Sequence, residues 1–149
     1  MAWYAYCIAE RNAFPELCRH RRPMPLTSVT GLFGNQVFLF PASDLAVVVS
    51  EHNAEDAARM DQNCAKDHAR VIADCFKLST VLPFRFGTTF PDDDALRRSV
   101  RSNQRHFTAN VERLRGKAEM HLKVVVDDIC PSIIGARDMS VGQHYLSNL

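Results

Sequence analysis

The stretch DHARVIADCFKLSTVLPFRFGTTFPDDD, Asp67 to Asp94, carries the end of a helix, a buried strand and the start of a second helix. Val71, Ile72, Cys75 and Phe76 recur at helical spacing, so one face of the first piece is apolar and requires a core. The pattern then changes: Leu82, Phe84 and Phe86 alternate at period two, which predicts a strand over Val81–Phe86. Pro83 cannot donate to a ladder, so that strand belongs at a sheet edge or carries its proline at an unpaired position or bulge. Gly87 breaks the run. Asp92, Asp93 and Asp94 after Pro91 mark a helix start, where a carboxylate caps free N–H groups and its neighbours sit at the positive end of the dipole.

Arg85 is the residue out of place in so apolar a strand. Unpaired burial of its guanidinium would cost several kcal/mol, so it must reach solvent, meet a carboxylate, or bind an anion. The segment resembles the central motif of the GvpL and GvpF gas vesicle proteins: His68-Ala69-Arg70-Val71 on a helix, then Thr80-Val81-Leu82-Pro83-Phe84-Arg85-Phe86-Gly87-Thr88, then Phe90 and an acidic helix start. Phe84 stands where that motif more often has Leu. The motif residues His68, Pro83, Phe84, Arg85, Phe86 and Gly87 are therefore the candidate site, in a structural or partner-binding role.

With 18 Lys+Arg against 17 Asp+Glu the net charge is +1, which argues against a protein held to nucleic acid by a broad basic surface. The one basic cluster, Arg19-His20-Arg21-Arg22, falls in a proline-bounded loop. A length of 149 residues suits one core without metal or disulfide staples. Cys7, Cys18, Cys64, Cys75 and Cys130 form no CxxC pair and read as reduced, mostly buried thiols. No stretch approaches a membrane span and no signal peptide opens the chain, so a soluble, cytoplasmic protein is expected.

In chain order, Trp3 to Ala9 reads as a central strand with Trp3, Ala5 and Cys7 on one side and Tyr4, Tyr6 and Ile8 on the other. Glu10 to Gly31, with Pro15, Pro23 and Pro25, reads as a long connection and the most mobile part. Gln36–Phe40 and Ala46–Ser50 read as two strands of a hairpin. A single helix is expected from Asn53 or Glu55 to Lys77, with Met60, Cys64, His68, Val71, Ile72 and Cys75 in its stripe. A second runs from Asp92 to Arg115 with Leu96, Val100, Phe107, Val111 and Leu114 inward, and Glu119–Asp127 alternates as a last strand. The fold class is α+β: a mixed, mainly antiparallel sheet of about five strands, covered on one face by two long helices, in the order β-β-β-α-β-α-β. Residues 1–127 form one domain and 128–149 a weakly ordered tail or interdomain linker.

The resemblance extends along the chain through Asp44-Leu45-Ala46-Val47-Val48-Val49-Ser50, then Gly116, Glu119 and Asp127. Gly142-Gln143-His144-Tyr145-Leu146 is similar to the junction before a second family domain, so the chain is expected to be a shortened member or one part of a longer product. The resemblance implies a non-catalytic accessory protein of gas vesicle assembly, located in the cytoplasm and at the vesicle. Its implied partners are the hydrophobic shell protein and other vesicle accessory proteins, with no cofactor.

Little in the pattern carries chemistry of its own. Cys64 and His68 have the i,i+4 spacing of metal ligands, but two ligands are not a site, and His68 lies on an apolar stripe. The three aspartates at 92–94 suit a divalent cation less well than a helix cap. No phosphate loop, dinucleotide fingerprint or nucleophile elbow is present. The rival reading is a small-ligand or enzymatic α+β domain in which Arg85 binds an anion beside His68 or His106.

Overall fold

The computed structural model describes residues 2–17 and 22–115. Strand β1 spans Trp3–Glu10, β2 Met24–Thr30, β3 Gln36–Ala42 and β4 Leu45–Glu51. Helices α1, Ala54–Ala58, and α2, Gln62–Phe76, follow, then strands β5, Val81–Pro83, and β6, Thr89–Phe90, and helix α3, Asp93–Leu114. The six strands form one sheet in the order β2-β3-β4-β1-β5, with β6 also paired to β1, and each described pairing is antiparallel. The expected strand over Glu119–Asp127, the tail beyond it and most of the 19–22 basic cluster lie outside the described residues.

The helices cover opposite faces of the sheet, where a single covered face was expected. Helix α2 packs Cys64, Ala69, Val71, Ile72 and Cys75 against Tyr4, Tyr6, Val37, Leu39 and Val48. Helix α3 packs Leu96, Val100, Phe107, Val111 and Leu114 against Trp3, Ala5, Phe40, Val47 and Val49. Both faces of β1 and β4 are thus buried, which is why their sequences are apolar on both sides. Period counting assigns each helix an inward stripe but does not say which side of the sheet receives it.

Strand β1 contains a bulge. Ala5 pairs with Val49 and Cys7 with the adjacent Val48, so Tyr6 is the extra residue. As a result Cys7 and Ala9 join Tyr4 and Tyr6 on the α2 side, while Ile8 joins Trp3 and Ala5 on the α3 side, reversing the simple alternation.

The stretch expected to be a loose connection contains β2, an edge strand that accommodates Pro25 by pairing on one side only. The single helix expected over 53–77 is two. Asn53 closes a capping box on α1 with Asp56, and Asp61 starts α2 afresh by accepting from the N–H groups of Asn63 and Cys64. Asp92 caps α3 through Ala95 N–H, with Asp93 and Asp94 in the first turn, as expected of that acidic run.

Candidate functional site

The motif strand ends early. After β5, the Phe84 N–H donates to the Tyr6 carbonyl, the chain leaves the sheet, and the Ala5 N–H donates to the Thr88 carbonyl as the chain returns to β6. Between these bonds Arg85-Phe86-Gly87-Thr88 makes a tight turn. Thr88 donates to the Arg85 carbonyl from its N–H at 3.2 Å and from Oγ1 at 2.6 Å. Gly87, third in the turn, has φ of +89°, the left-handed geometry that a type II turn gives to glycine. The turn displaces the strand expected over Phe84–Phe86 and separates its aromatics. Phe84 packs with Phe90 and Phe107 on the α3 side, whereas Phe86 meets the His68 ring on the α2 side, centroids 5.8 Å apart.

Beneath the turn lies a buried polar chain. His68 Nε2 is 2.9 Å from the Phe84 carbonyl, and His68 Nδ1 is 2.8 Å from the Tyr4 hydroxyl. A carbonyl only accepts, so Nε2 carries the proton, Nδ1 is the acceptor, and Tyr4 O–H donates to it. The Gly87 N–H donates to the same Tyr4 oxygen at 3.0 Å. One turn is therefore held at two points, Phe84 and Gly87, by a helix histidine and a strand tyrosine. Burial pushes the His68 imidazole down from 6.5 to about 4, against the pull of the Phe84 carbonyl, and burial pushes the Tyr4 phenol up. His68 is neutral at pH 7 with both nitrogens committed.

Alongside, the Tyr6 hydroxyl bonds Ser50 Oγ at 2.8 Å and accepts from Leu32 N–H at 2.9 Å. A Cβ at Gly31 would fall 2.6 Å from that hydroxyl, so the close approach there requires glycine. His52 stacks obliquely on Tyr4, centroids 5.4 Å apart.

Of the six motif residues, Pro83 pairs with Cys7 on the outer strand, Phe84 and Phe86 enter the two cores, Gly87 makes the turn, and His68 holds it. Arg85 stands at the apex, exposed, with no ion pair to its guanidinium among the described residues. His106 instead lines an open groove on α3 with Glu10, Asp44, Arg101, Arg105 and Glu112. His68, one of the two histidines that the rival reading sets beside Arg85, is buried with both nitrogens bonded, and the other, His106, lines the α3 groove. Cys64 donates to the Arg59 carbonyl rather than meeting His68 at a shared centre, and no group of three or more metal-ligating side chains occurs among the described residues. Tyr4 and Gly31 were not singled out in the sequence: Tyr4 lies 64 residues from His68, and only folding brings them together.

The architecture is an α+β domain with a helix on each face of an antiparallel sheet, its family motif folded into a clamped turn at the sheet edge. The family model for gas vesicle synthesis protein GvpL/GvpF matches residues 2–142, and the chain belongs to that family. Gas vesicle protein F of Streptomyces sp. (strain CB03234) is 31% identical over 128 residues, which cover 86% of this chain and 50% of that protein. The crystal structure of the gas vesicle protein GvpF from Anabaena sp. PCC7120 shares the fold, with a TM-score of 0.57 at 18% identity, over 77% of this chain and 45% of that one. The chain spans about half the length of these relatives.

Proposed function

We propose that this chain is a non-catalytic accessory protein of gas vesicle assembly, acting in the cytoplasm and at the vesicle. It binds the hydrophobic shell protein or other vesicle proteins and limits their aggregation. A shell subunit that later faces gas exposes apolar surface beforehand, and a partner that holds it suppresses non-productive association. The observation that carries the reading is how the motif is spent. Both nitrogens of His68 hold the turn, Phe84 and Phe86 anchor it against separate cores, and Arg85 carries the motif's outward-facing side chain on that fixed rim. In this reading five motif residues are scaffold and Arg85 is the residue offered to a partner.

Co-expression with the shell protein tests it. The chain should raise the soluble fraction of the shell protein and co-purify with it, and Arg85→Ala should weaken both effects while leaving the chain folded. Absence of any association by the unaltered chain would count against the assembly role, and full association by Arg85→Ala would remove Arg85 from it.

A further inference from the structure

Leu78 is the one large apolar residue exposed among the described residues, so the surface they offer is polar. Its charge is unevenly placed. After Asp93 and Asp94, α3 carries Arg97, Arg98, Arg101 and Arg105 and no acid until Glu112, in a chain whose net charge is only +1. Arg97, Arg101 and Arg105 follow one another at four-residue steps, about 6 Å along the axis each. Like charges at that spacing disfavour the helix unless something neutralises them.

Among the described residues none of these four arginines has a carboxylate within ion-pair distance, whereas Arg70 pairs with Asp67 and Asp74, and Arg115 with Glu10. Arg97 is nevertheless placed. The Arg97 guanidinium lies over the Phe40 ring, 4.8 Å from its centroid. Across from it, Arg11 donates to the Ser43 carbonyl at 3.2 Å and the Leu17 carbonyl at 3.3 Å. Arg11, Arg97 and Arg101 line a shallow recess beside the Pro41–Ser43 turn, with no acid among the described residues of its wall. It continues past Arg101 and Arg105 into the larger groove along α3. The acids of that groove are partly engaged: Asp44 accepts from Gln104 and Glu10 meets Arg115.

We infer that this groove docks an acidic segment of a partner protein, in extended conformation, with carboxylates at alternate positions. Alternate residues of an extended chain project side chains about 6.5 Å apart on one face, which matches the arginine spacing. Nucleic acid fits less well. Single strands need aromatic platforms, and none of the described residues lining this groove is Phe, Tyr or Trp. The inference goes beyond the assembly reading and does not depend on Arg85.

The test is a titration of the ¹⁵N-labelled full chain with a peptide of about ten alternating Glu and Ser residues, long enough to span the arginines. Amide shifts should concentrate on Arg97–Arg105, Ser43 and Arg11. The affinity should fall about tenfold in the double variant Arg97→Glu/Arg101→Glu and with rising salt, and stay unchanged in Lys66→Glu on α2. Circular dichroism checks folding, and Arg97→Gln/Arg101→Gln replaces the double reversal if that variant does not fold. Shifts scattered away from α3, equal loss in Lys66→Glu, or tighter binding of an oligothymidylate of the same length would each overturn the assignment.

Discussion

The Tyr4 hydroxyl donates to Nδ1 of His68 across 2.8 Å, and the same oxygen accepts the Gly87 N–H. Tyr4→Phe removes one oxygen and takes the partner from buried His68 Nδ1 and from the part-buried Gly87 N–H. Leaving a buried donor or acceptor unsatisfied costs about 1–3 kcal/mol, and the part-buried Gly87 N–H, nearer to water, adds about 1 kcal/mol, so the variant should lose about 2–4 kcal/mol. At this chain length that corresponds to a fall in Tm of roughly 5–12 °C. Thermal melts of the two proteins measure it, and an unchanged Tm would show that the network does not hold the turn.

The depressed His68 imidazole sets a pH window. Because the folded value, about 4, lies below the ordinary 6.5, the unfolded chain binds the proton first as pH falls. The stabilisation is fully present above pH 6.5, is lost between about 6.5 and 4, and the loss levels off below that. The shift corresponds to about 3 kcal/mol. Urea melts across this range should show a falling midpoint that is shallower in His68→Gln. Equal slopes would mean that other groups account for the acid sensitivity.

Two glycine substitutions should separate backbone strain from collision. A Cβ on Gly87 meets nothing within 4 Å, so Gly87→Ala is charged only for its positive φ, about 1–2 kcal/mol. A Cβ on Gly31 would strike the Tyr6 hydroxyl and displace it from Leu32 and Ser50, for about 2–4 kcal/mol. Chemical denaturation should rank Gly31→Ala as the worse of the two. The opposite order would contradict the Tyr6 geometry.

Arg85→Ala should leave stability within about 0.5 kcal/mol of the unaltered chain, because the side chain is exposed and unpaired among the described residues. A loss above about 2 kcal/mol in the same melts would indicate a structural partner for the guanidinium.

The parts of the fold legible in the sequence are those fixed by local patterns. Trp3–Ala9 is apolar on both sides and is the central strand, the stripe from Cys64 to Cys75 is buried, and Asp92 opens α3 where the acids indicated. What escaped depends on distant partners. Strand β2 has little apolar alternation and two nearby prolines, and exists because β3 offers it an edge. Asp61 restarts a helix within an unbroken helical pattern, a choice made by one side chain and the extended backbone beneath it. At the motif, Leu82, Phe84 and Phe86 imitate a strand, but Gly87 and the Tyr4–His68 pair bend the chain after Phe84. The residue types of the motif were visible, whereas the clamp that presents Arg85 was not, because Tyr4 sits at the other end of the domain's sequence.

The extra residue in β1 bears on how this chain tolerates length changes. Tyr6 interrupts the ladder directly opposite the point where Arg85–Gly87 departs from the edge, so the departure and the interruption are two halves of one irregularity. Excising Tyr6 would leave Trp3, Tyr4, Ala5, Cys7, Ile8 and Ala9 alternating between the two cores in unbroken register with β4, and Tyr4 would still face His68; what is lost is the Tyr6 hydroxyl with its bonds to Ser50 and Leu32. Length at this point of β1 can therefore change without reversing the strand's faces, and the loss falls on a hydroxyl and its two partners instead of on the ladder.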